Sequence, residues 1–486
     1  MSKAIPEISF NSNIDNKTLL EVSAVLFLML TGSAIVYFES WIPVLFPFIL
    51  LFLSYVIRDT RIVFYFIFIV LPFSIEFYFE PIGFGSDLPS EPLMILITVG
   101  SLIFMAKNRF TFNVSIVSHP VFIILILHLV WILATCIQSQ NVFTSFKFFL
   151  AKLWYVIPFF FFPLAFFQKA DDFIKVYRLL YKFLFISIFI VLTRHAFEGF
   201  TFASSYDVVR PFFRNHVSYA AISVICLPFV WAFYKILPSG TFVKRSLWFV
   251  LIIFLTGIYF SYTRAAILSV VFAVIAYYIF ENRWVKQALI MTFFTAGFLV
   301  VYLAIDNKYL DLTPNFERTI THTQFDNLIE ATYKLEDISS MERVYRWMAG
   351  FEMLKDRPLM GFGPGTFYEN YKSYSISSFA TYVSDNPDKS GIHNYFLMTL
   401  VEQGLIGFVI FVLLCVMLLL VCEDTWHMFK GDKNHFFVIA ISLSFIIILS
   451  MNLINDLIET DKVGPFFFLN SAGILLFRYV LKPKTG

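Results

Sequence analysis

His393 and Asn394 stand side by side where the polar stretch SDNPDKSGI gives way to an apolar one. Nine residues separate Asn394 from Gly404, and two more separate Gly404 from Gly407. An imidazole titrates near neutral pH, so at such a boundary it can take a proton from a hydroxyl. Asn394 can orient a sugar or the ring by hydrogen bonds. Gly404 and Gly407, three apart on one helix, leave room for a second helix or a lipid. A second set of candidates is cationic: Arg210 and Arg214 in VVRPFFRNHVSYAA, Arg264 in SYTRAAIL, and Arg194, Lys147 and Lys152. Guanidinium forks grip phosphate oxygens in pairs and stay charged at any working pH. Several of them on one membrane face suit a diphosphate head group and stabilise it as a leaving group. Each feature also has a plainer reading, since interfacial cations snorkel and an isolated interfacial histidine is ordinarily structural. Sidedness decides between the readings.

The elements that fix sidedness are apolar spans. The chain is 59% apolar and only 14% charged, against about a quarter charged in soluble domains, which makes it a polytopic membrane protein. A net charge of +2 gives no ground for a nucleic-acid partner. The four cysteines lie in or at the ends of apolar runs without metal-site spacing and read as buried thiols. Spans are expected near 19–38, 41–57, 61–79, 92–106, 120–137, 146–167, 173–193, 217–236, 246–261, 264–280, 285–304, 397–421, 434–453 and 465–481, about 12–14 in all. The 246–280 stretch reads either as two short spans or as one broken helix. Lys and Arg fill alternate short connections, which puts both termini on the cytoplasmic side. The arginines at 194–216, Arg264 and His393 then all fall on the outer face, where cations break the pattern.

Three domains follow: residues 1–304 with the amino-terminal helices and the outer Arg cluster, 305–392 as a polar subdomain over the outer face, and 393–486 with the last helices. Within the subdomain, SSMERVYRWMAGFEMLKDRP predicts a helix with Ser339 or Ser340 as N-cap and Pro358 as stop. Val344, Trp347, Phe351 and Leu354 are expected to share its apolar face. GFGPGTF, Gly361–Phe367, reads as a tight turn that depends on glycine.

His393-Asn394, nine residues, Gly404, two residues, Gly407 resembles the motif of the O-antigen ligase and Wzy-type polymerase family. Arg343, Trp347, Pro358, Gly361 and Gly363 are similar to that family's upstream stretch, SYTRAAIL with Arg264 to its Ser-x-x-Arg segment, and FRNHVSYAA with Arg214 to an earlier one. The resemblance covers roughly residues 205–455. It implies an all-α polytopic, GT-C-like glycosyltransferase of the bacterial inner membrane with a long helical periplasmic loop and a periplasmic site. A glycan would move en bloc from an undecaprenyl-diphosphate carrier to an acceptor hydroxyl, with inversion, without metal or other cofactor. His393 would be the base, Arg264, Arg214 and Arg210 would hold the donor diphosphate, and Asn394, Arg343 and Trp347 would meet the glycan or acceptor. The acceptor stays open between another lipid-linked glycan, lipid A–core and a protein hydroxyl, as for a protein O-oligosaccharyltransferase. A reading of another class, a lipid-linked glycan flippase or transporter, expects pseudo-symmetric halves and short loops. The long one-sided loop argues against it.

Overall fold

The computed structural model describes residues 59–79, 84–107, 112–306, 308, 338–380, 384–386 and 389–482. The expected spans at 19–38 and 41–57 lie outside the described residues, as does most of 305–337. The chain divides into two units, Met1–Val63 and Phe64–Gly486. In the first, Arg61 pairs with Asp59 at 2.9 Å. The second holds the candidate site.

This second unit is an all-α membrane bundle with one small hairpin. Helix α1 (Thr60–Val70) ends in a 3-10 turn at Phe73, and the chain then forms strands β1 (Ile75–Phe79) and β2 (Phe84–Leu88), paired antiparallel with Ile75 opposite Leu88. The expected span 61–79 is therefore too long. Pro72 helps to end the helix, and IEFYF is extended although its apolar content suggested membrane. Next come α2 (Ser90–Lys107), α3 (Pro120–Ile137), α4 (Val142–Phe166), α5 (Ala170–Phe197), α6 (His216–Ile236), α7 (Phe242–Phe260), α8 (Arg264–Glu281) and α9 (Val285–Ala304). The 246–280 stretch is two spans, α7 and α8, parted by the Ser261–Thr263 turn with Tyr262 at φ 53°. Helix α4 contains a π turn at Ile157–Phe161, where Pro158 removes a backbone donor.

The remaining elements are α10 (Ile338–Asp356), α11 (Tyr395–Met428), α12 (His435–Met451) and α13 (Gly464–Tyr479). Among the described residues eight helices are long and apolar enough to cross a membrane. Helices α12 and α13, at 17 and 16 residues, are shorter than the expected spans. Helix α13 is almost wholly buried, so protein rather than lipid surrounds it and a full bilayer-length apolar surface is not required, whereas α12 keeps part of one face only half-buried. Their polar groups are paired inside: Tyr177 donates to Asn470, whose amide donates to Ser444 at 2.9 Å. All four cysteines are free and buried.

Helix α10 begins at Ile338, so Ser339 and Ser340 lie inside its first turn and neither is the N-cap. Its buried apolar residues are Met341, Val344, Tyr345, Met348, Ala349 and Met353; of the expected face Val344 is buried, Trp347 and Leu354 are half-buried and Phe351 is exposed. The expected face is thus rotated by about one residue. The expectation centres on the largest apolar side chains, whereas the helix buries its methionines and alanine against α11.

Connections expected on one face gather at one end of the bundle. Gln140 N–H donates to the Phe362 carbonyl at 3.3 Å, Thr263 Oγ1 to the His216 carbonyl at 3.4 Å, and Arg343 Nε to the Ile454 carbonyl at 3.3 Å. The opposite end is tied by Lys430–Glu281 at 2.7 Å and Arg478–Asp424 at 3.3 Å.

Candidate active site

The site is built on a broken helix. Helix α11 runs from Tyr395 to Met428, but Gly404 has φ 70°, ψ −178° and interrupts it. A break strands backbone groups, and in an apolar surround each must find a partner. Val401 O accepts Phe362 N–H at 3.1 Å, and Glu402 O accepts Gly363 N–H at 2.9 Å. Gln403 O accepts the Trp131 indole at 2.9 Å, and Leu405 N–H donates to Pro358 O at 2.8 Å. The Glu402 carboxylate takes Gly365 N–H at 2.8 Å and Phe367 N–H at 3.0 Å. The GFGPGTF turn and the glycine-spaced helix are therefore one interlocking unit. A Cβ on Gly361 would lie 2.4 Å from the Glu402 carbonyl carbon. Gly407 faces Trp131 of α3, whose ring a Cβ would meet at 2.9 Å.

This unit fixes α10 over the start of α11, and α10 fixes His393. Arg346 donates to the Gly391 carbonyl at 3.2 Å and the Trp347 indole to the Ile392 carbonyl at 3.0 Å. On the far side, Tyr395 N–H donates to the carbonyls of Asn452 at 2.9 Å and Asn455 at 3.0 Å. Between these clamps His393 adopts φ 56°, a left-handed conformation that costs a non-glycine residue of order 1–3 kcal/mol. The held strain aims the ring at Asp456, with Nδ1 3.8 Å from Oδ1. A Cβ on Gly391 would lie 2.1 Å from Asp456 Oδ2, so a side chain there would push the carboxyl away from its present place. Asn394 caps α11, its side-chain oxygen accepting Leu397 N–H at 2.9 Å.

Beneath the pair, Lys152 of α4 is buried and bonds Glu459 and, at 3.2 Å, the Tyr395 hydroxyl, which donates to Glu459 at 2.7 Å. This network ties the loop carrying Asp456 to α4 and to α11.

Burial, then the charges of Arg343 and Arg346, pull the His393 pKa from 6.5 down to about 3. Burial also pushes the Asp456 carboxyl above its ordinary range, against the lowering from backbone amides and from Arg346 and Arg343. His393 is thus neutral at neutral pH and able to accept a proton. Because the unfolded chain takes up a proton near pH 6.5 that the folded ring refuses until far lower, the His393 contribution to stability is full above 6.5 and is lost as pH falls. Nitrogen-15 NMR of histidine-labelled protein is expected to show His393 still neutral at about pH 5. Arg343→Ala should move its midpoint upward, toward the ordinary histidine value.

The other expected cations are engaged differently. Arg214 is exposed and pairs with Glu76 on β1 at 3.7 Å. Arg210 lies over the Tyr206 ring, 4.4 Å from its centroid, and bonds its hydroxyl at 2.5 Å. Arg264 opens α8, half-buried. The neighbouring Thr263 touches His216 at the start of α6, and Arg343 is near enough to act on both the His216 and His393 rings. Arg343 thus lies near the starts of α6 and α11, and Thr263 ties the start of α8 to that of α6, whereas Arg214 and Arg210 are engaged with Glu76 and Tyr206.

Sequence reasoning missed Asp456, Glu342, Arg346 and the Lys152–Glu459 pair. Glu342 and Arg346 lie four apart in ERVYRW, pair at 3.5 Å and are both buried, a spacing readable from the sequence. The segment NDLIETDK reads, on sequence alone, only as an acidic connection.

Residues 249–412 match the family model described as O-antigen ligase. That match spans the Arg264 segment, α10, the glycine turn and the His393–Gly407 motif. No curated protein matches the chain.

Proposed function

We propose, from the match of residues 249–412 to the O-antigen ligase family model, that this chain moves a glycan from a polyprenyl-diphosphate carrier to an acceptor hydroxyl at the periplasmic face of the bacterial inner membrane. The observation that carries the reading is the clamped, left-handed His393 facing Asp456 under Arg343 and Arg346. His393 Nδ1 stands 3.8 Å from Asp456 Oδ1, beyond hydrogen-bond reach; in the proposed reaction this contact tightens when substrate binds, Asp456 then orients the ring and Nε2 takes the proton. The acceptor oxygen attacks the anomeric carbon, and its proton passes to Nε2. The bond from that carbon to the diphosphate oxygen breaks, and the electron pair leaves with the diphosphate. Arg264, with Arg214 and Arg210 from the flanking loop, holds that leaving group. Direct attack inverts the anomeric centre.

The low affinity of His393 for a proton fits this sequence of events. Burial depresses it most, and two guanidiniums add to that. A bound diphosphate offsets their charge and raises the basicity of the ring when the acceptor arrives.

Purified protein given lipid-linked repeat units alone tests the reading and sorts its acceptors. Chain growth without a second acceptor marks a polymerase. Growth only on added lipid A–core marks a ligase, and transfer to Ser or Thr marks a protein O-glycosyltransferase. No product with any acceptor overturns the proposal.

A further inference from the structure

Several histidines use the ring to hold the fold. His119 Nδ1 accepts Val121 N–H at 3.2 Å. Nε2 of His128, His195 and His427 meets the Gln403 side-chain oxygen and the Thr201 and Phe280 carbonyls at 3.0, 3.0 and 2.8 Å. His216 does not follow them. Its Nδ1 is enclosed by protein with no hydrogen-bond partner among the described residues, while the residue as a whole is only half-buried. Nor does α6 need this ring to begin. Asn215 is the N-cap, its side-chain oxygen accepting Ser218 N–H at 2.9 Å.

The place of His216 is specific. Its carbonyl accepts from Thr263 Oγ1 at 3.4 Å, one residue before Arg264. Arg343 is near enough to act on its ring and on that of His393. His216 thus adjoins the segment that carries Arg264 and shares Arg343 with the proposed base, yet the reaction as written above gives it no part.

A neutral imidazole has one nitrogen that donates and one that accepts. Of the two defects, an enclosed N–H without a partner is rarer than an enclosed acceptor without one. The unpartnered Nδ1 of His216 therefore keeps its lone pair, and the proton sits on Nε2, the nitrogen left to meet a ligand. His393 is the opposite case: its Nδ1 turns toward Asp456 at 3.8 Å and Nε2 carries the lone pair. One ring is arranged to accept a proton and the other to donate a hydrogen bond. An attacking sugar hydroxyl needs the first. Ionised diphosphate oxygens, which only accept, need the second.

We propose that His216 is a further donor-binding residue, its Nε2–H donating to an oxygen of the polyprenyl diphosphate beside Arg264. The inference rests on the polyprenyl-diphosphate reading above. No bond is made or broken at this ring, which fixes the leaving group and is unchanged by transfer.

Equilibrium binding of undecaprenyl diphosphate to the full-length protein in detergent tests this with three variants. The side-chain nitrogen of Gln reaches about as far as Nε2, and that of Asn only about as far as Nδ1. His216→Gln should therefore bind within about twofold of wild type, whereas His216→Asn and His216→Ala should bind about tenfold more weakly, the worth of one hydrogen bond to a charged acceptor. In transfer assays the Asn and Ala variants should raise KM for the lipid-linked donor and leave kcat nearly unchanged, whereas replacing His393 acts on kcat. In nitrogen-15 spectra of wild-type protein the His216 Nε2 resonance should move as undecaprenyl diphosphate is added. Wild-type binding by all three variants overturns the proposal. So does equal weakening in all three with a lowered melting temperature, which makes the ring structural. Binding that separates Gln from Asn and Ala, without any transfer by the wild type, sinks the catalytic reading and keeps the contact. Transfer by the wild type, with binding untouched in all three variants, does the reverse. No binding by the wild-type chain removes both.

Discussion

Replacing His393 by alanine or asparagine is expected to lower kcat by about 10²–10⁴-fold, the usual worth of a positioned general base. Binding of undecaprenyl diphosphate should change little, because in the proposed reaction the anion is held by guanidiniums rather than by the His393 imidazole. The asparagine variant separates chemistry from folding, since Asn tolerates the left-handed backbone that His393 adopts at φ 56°. Steady-state transfer and equilibrium binding, measured on both variants, check this. Retention of wild-type kcat by either variant would remove His393 as the base. Loss of lipid binding together with kcat would make its role structural.

Gly404→Ala is expected to have the largest effect on stability. The residue sits at φ 70° with its would-be Cβ 2.1 Å from the Leu359 carbonyl oxygen and 2.5 Å from Met360 N. Both obstacles are backbone, so neither yields as a flexible side chain would. Left-handed strain and overpacking together come to roughly 2–6 kcal/mol. The break at Gly404 is also where α11 accepts the Pro358–Gly363 segment, so its loss should loosen α10 and, through Trp347 and Arg346, His393. Gly297→Ala in α9 is the matched control. No heavy atom lies within 4 Å of its Cβ, and the helix should be slightly stabilised. Thermal stability in detergent and the resistance of residues 338–392 to limited proteolysis should fall sharply for the first variant and hold for the second.

These two positions show what the sequence makes legible. The motif His393-Asn394 to Gly404 and Gly407 points to a site at a helix mouth, and the charge pattern puts it on the face that carries Arg264. It does not say that Gly404 receives the backbone of Leu359, because nothing in GLIG names the segment that approaches. That information belongs to tertiary contact. Asp456 is hidden for the same reason: it lies far along the chain from His393, in a loop whose acidic character looks like ordinary solvation. The hairpin at Ile75–Leu88 is hidden differently. IEFYF is apolar enough to extend a membrane span, and Pro72, Pro81 and the glycines at 83 and 85 are what point to a turn. Helix α13 is legible with its length to within one residue, whereas α12 is three residues shorter than its expected span. Arg343 and Trp347 stand out by residue type. Their neighbours Glu342 and Arg346 occupy the same helix, yet a buried ion pair cannot be told from an exposed one until the face is known.

Transfer of a glycan off a polyprenyl diphosphate has a stoichiometry that sealed vesicles can read. Purified wild-type chain is supplied with donor doubly labelled in the glycan and in the diphosphate, together with acceptor on the outer face. One polyprenyl diphosphate should be released for every glycan joined to acceptor, with both products lost in the His393→Asn variant. Intact donor moved from one leaflet to the other, with no diphosphate released, would contradict the transferase reading and make the chain a transporter.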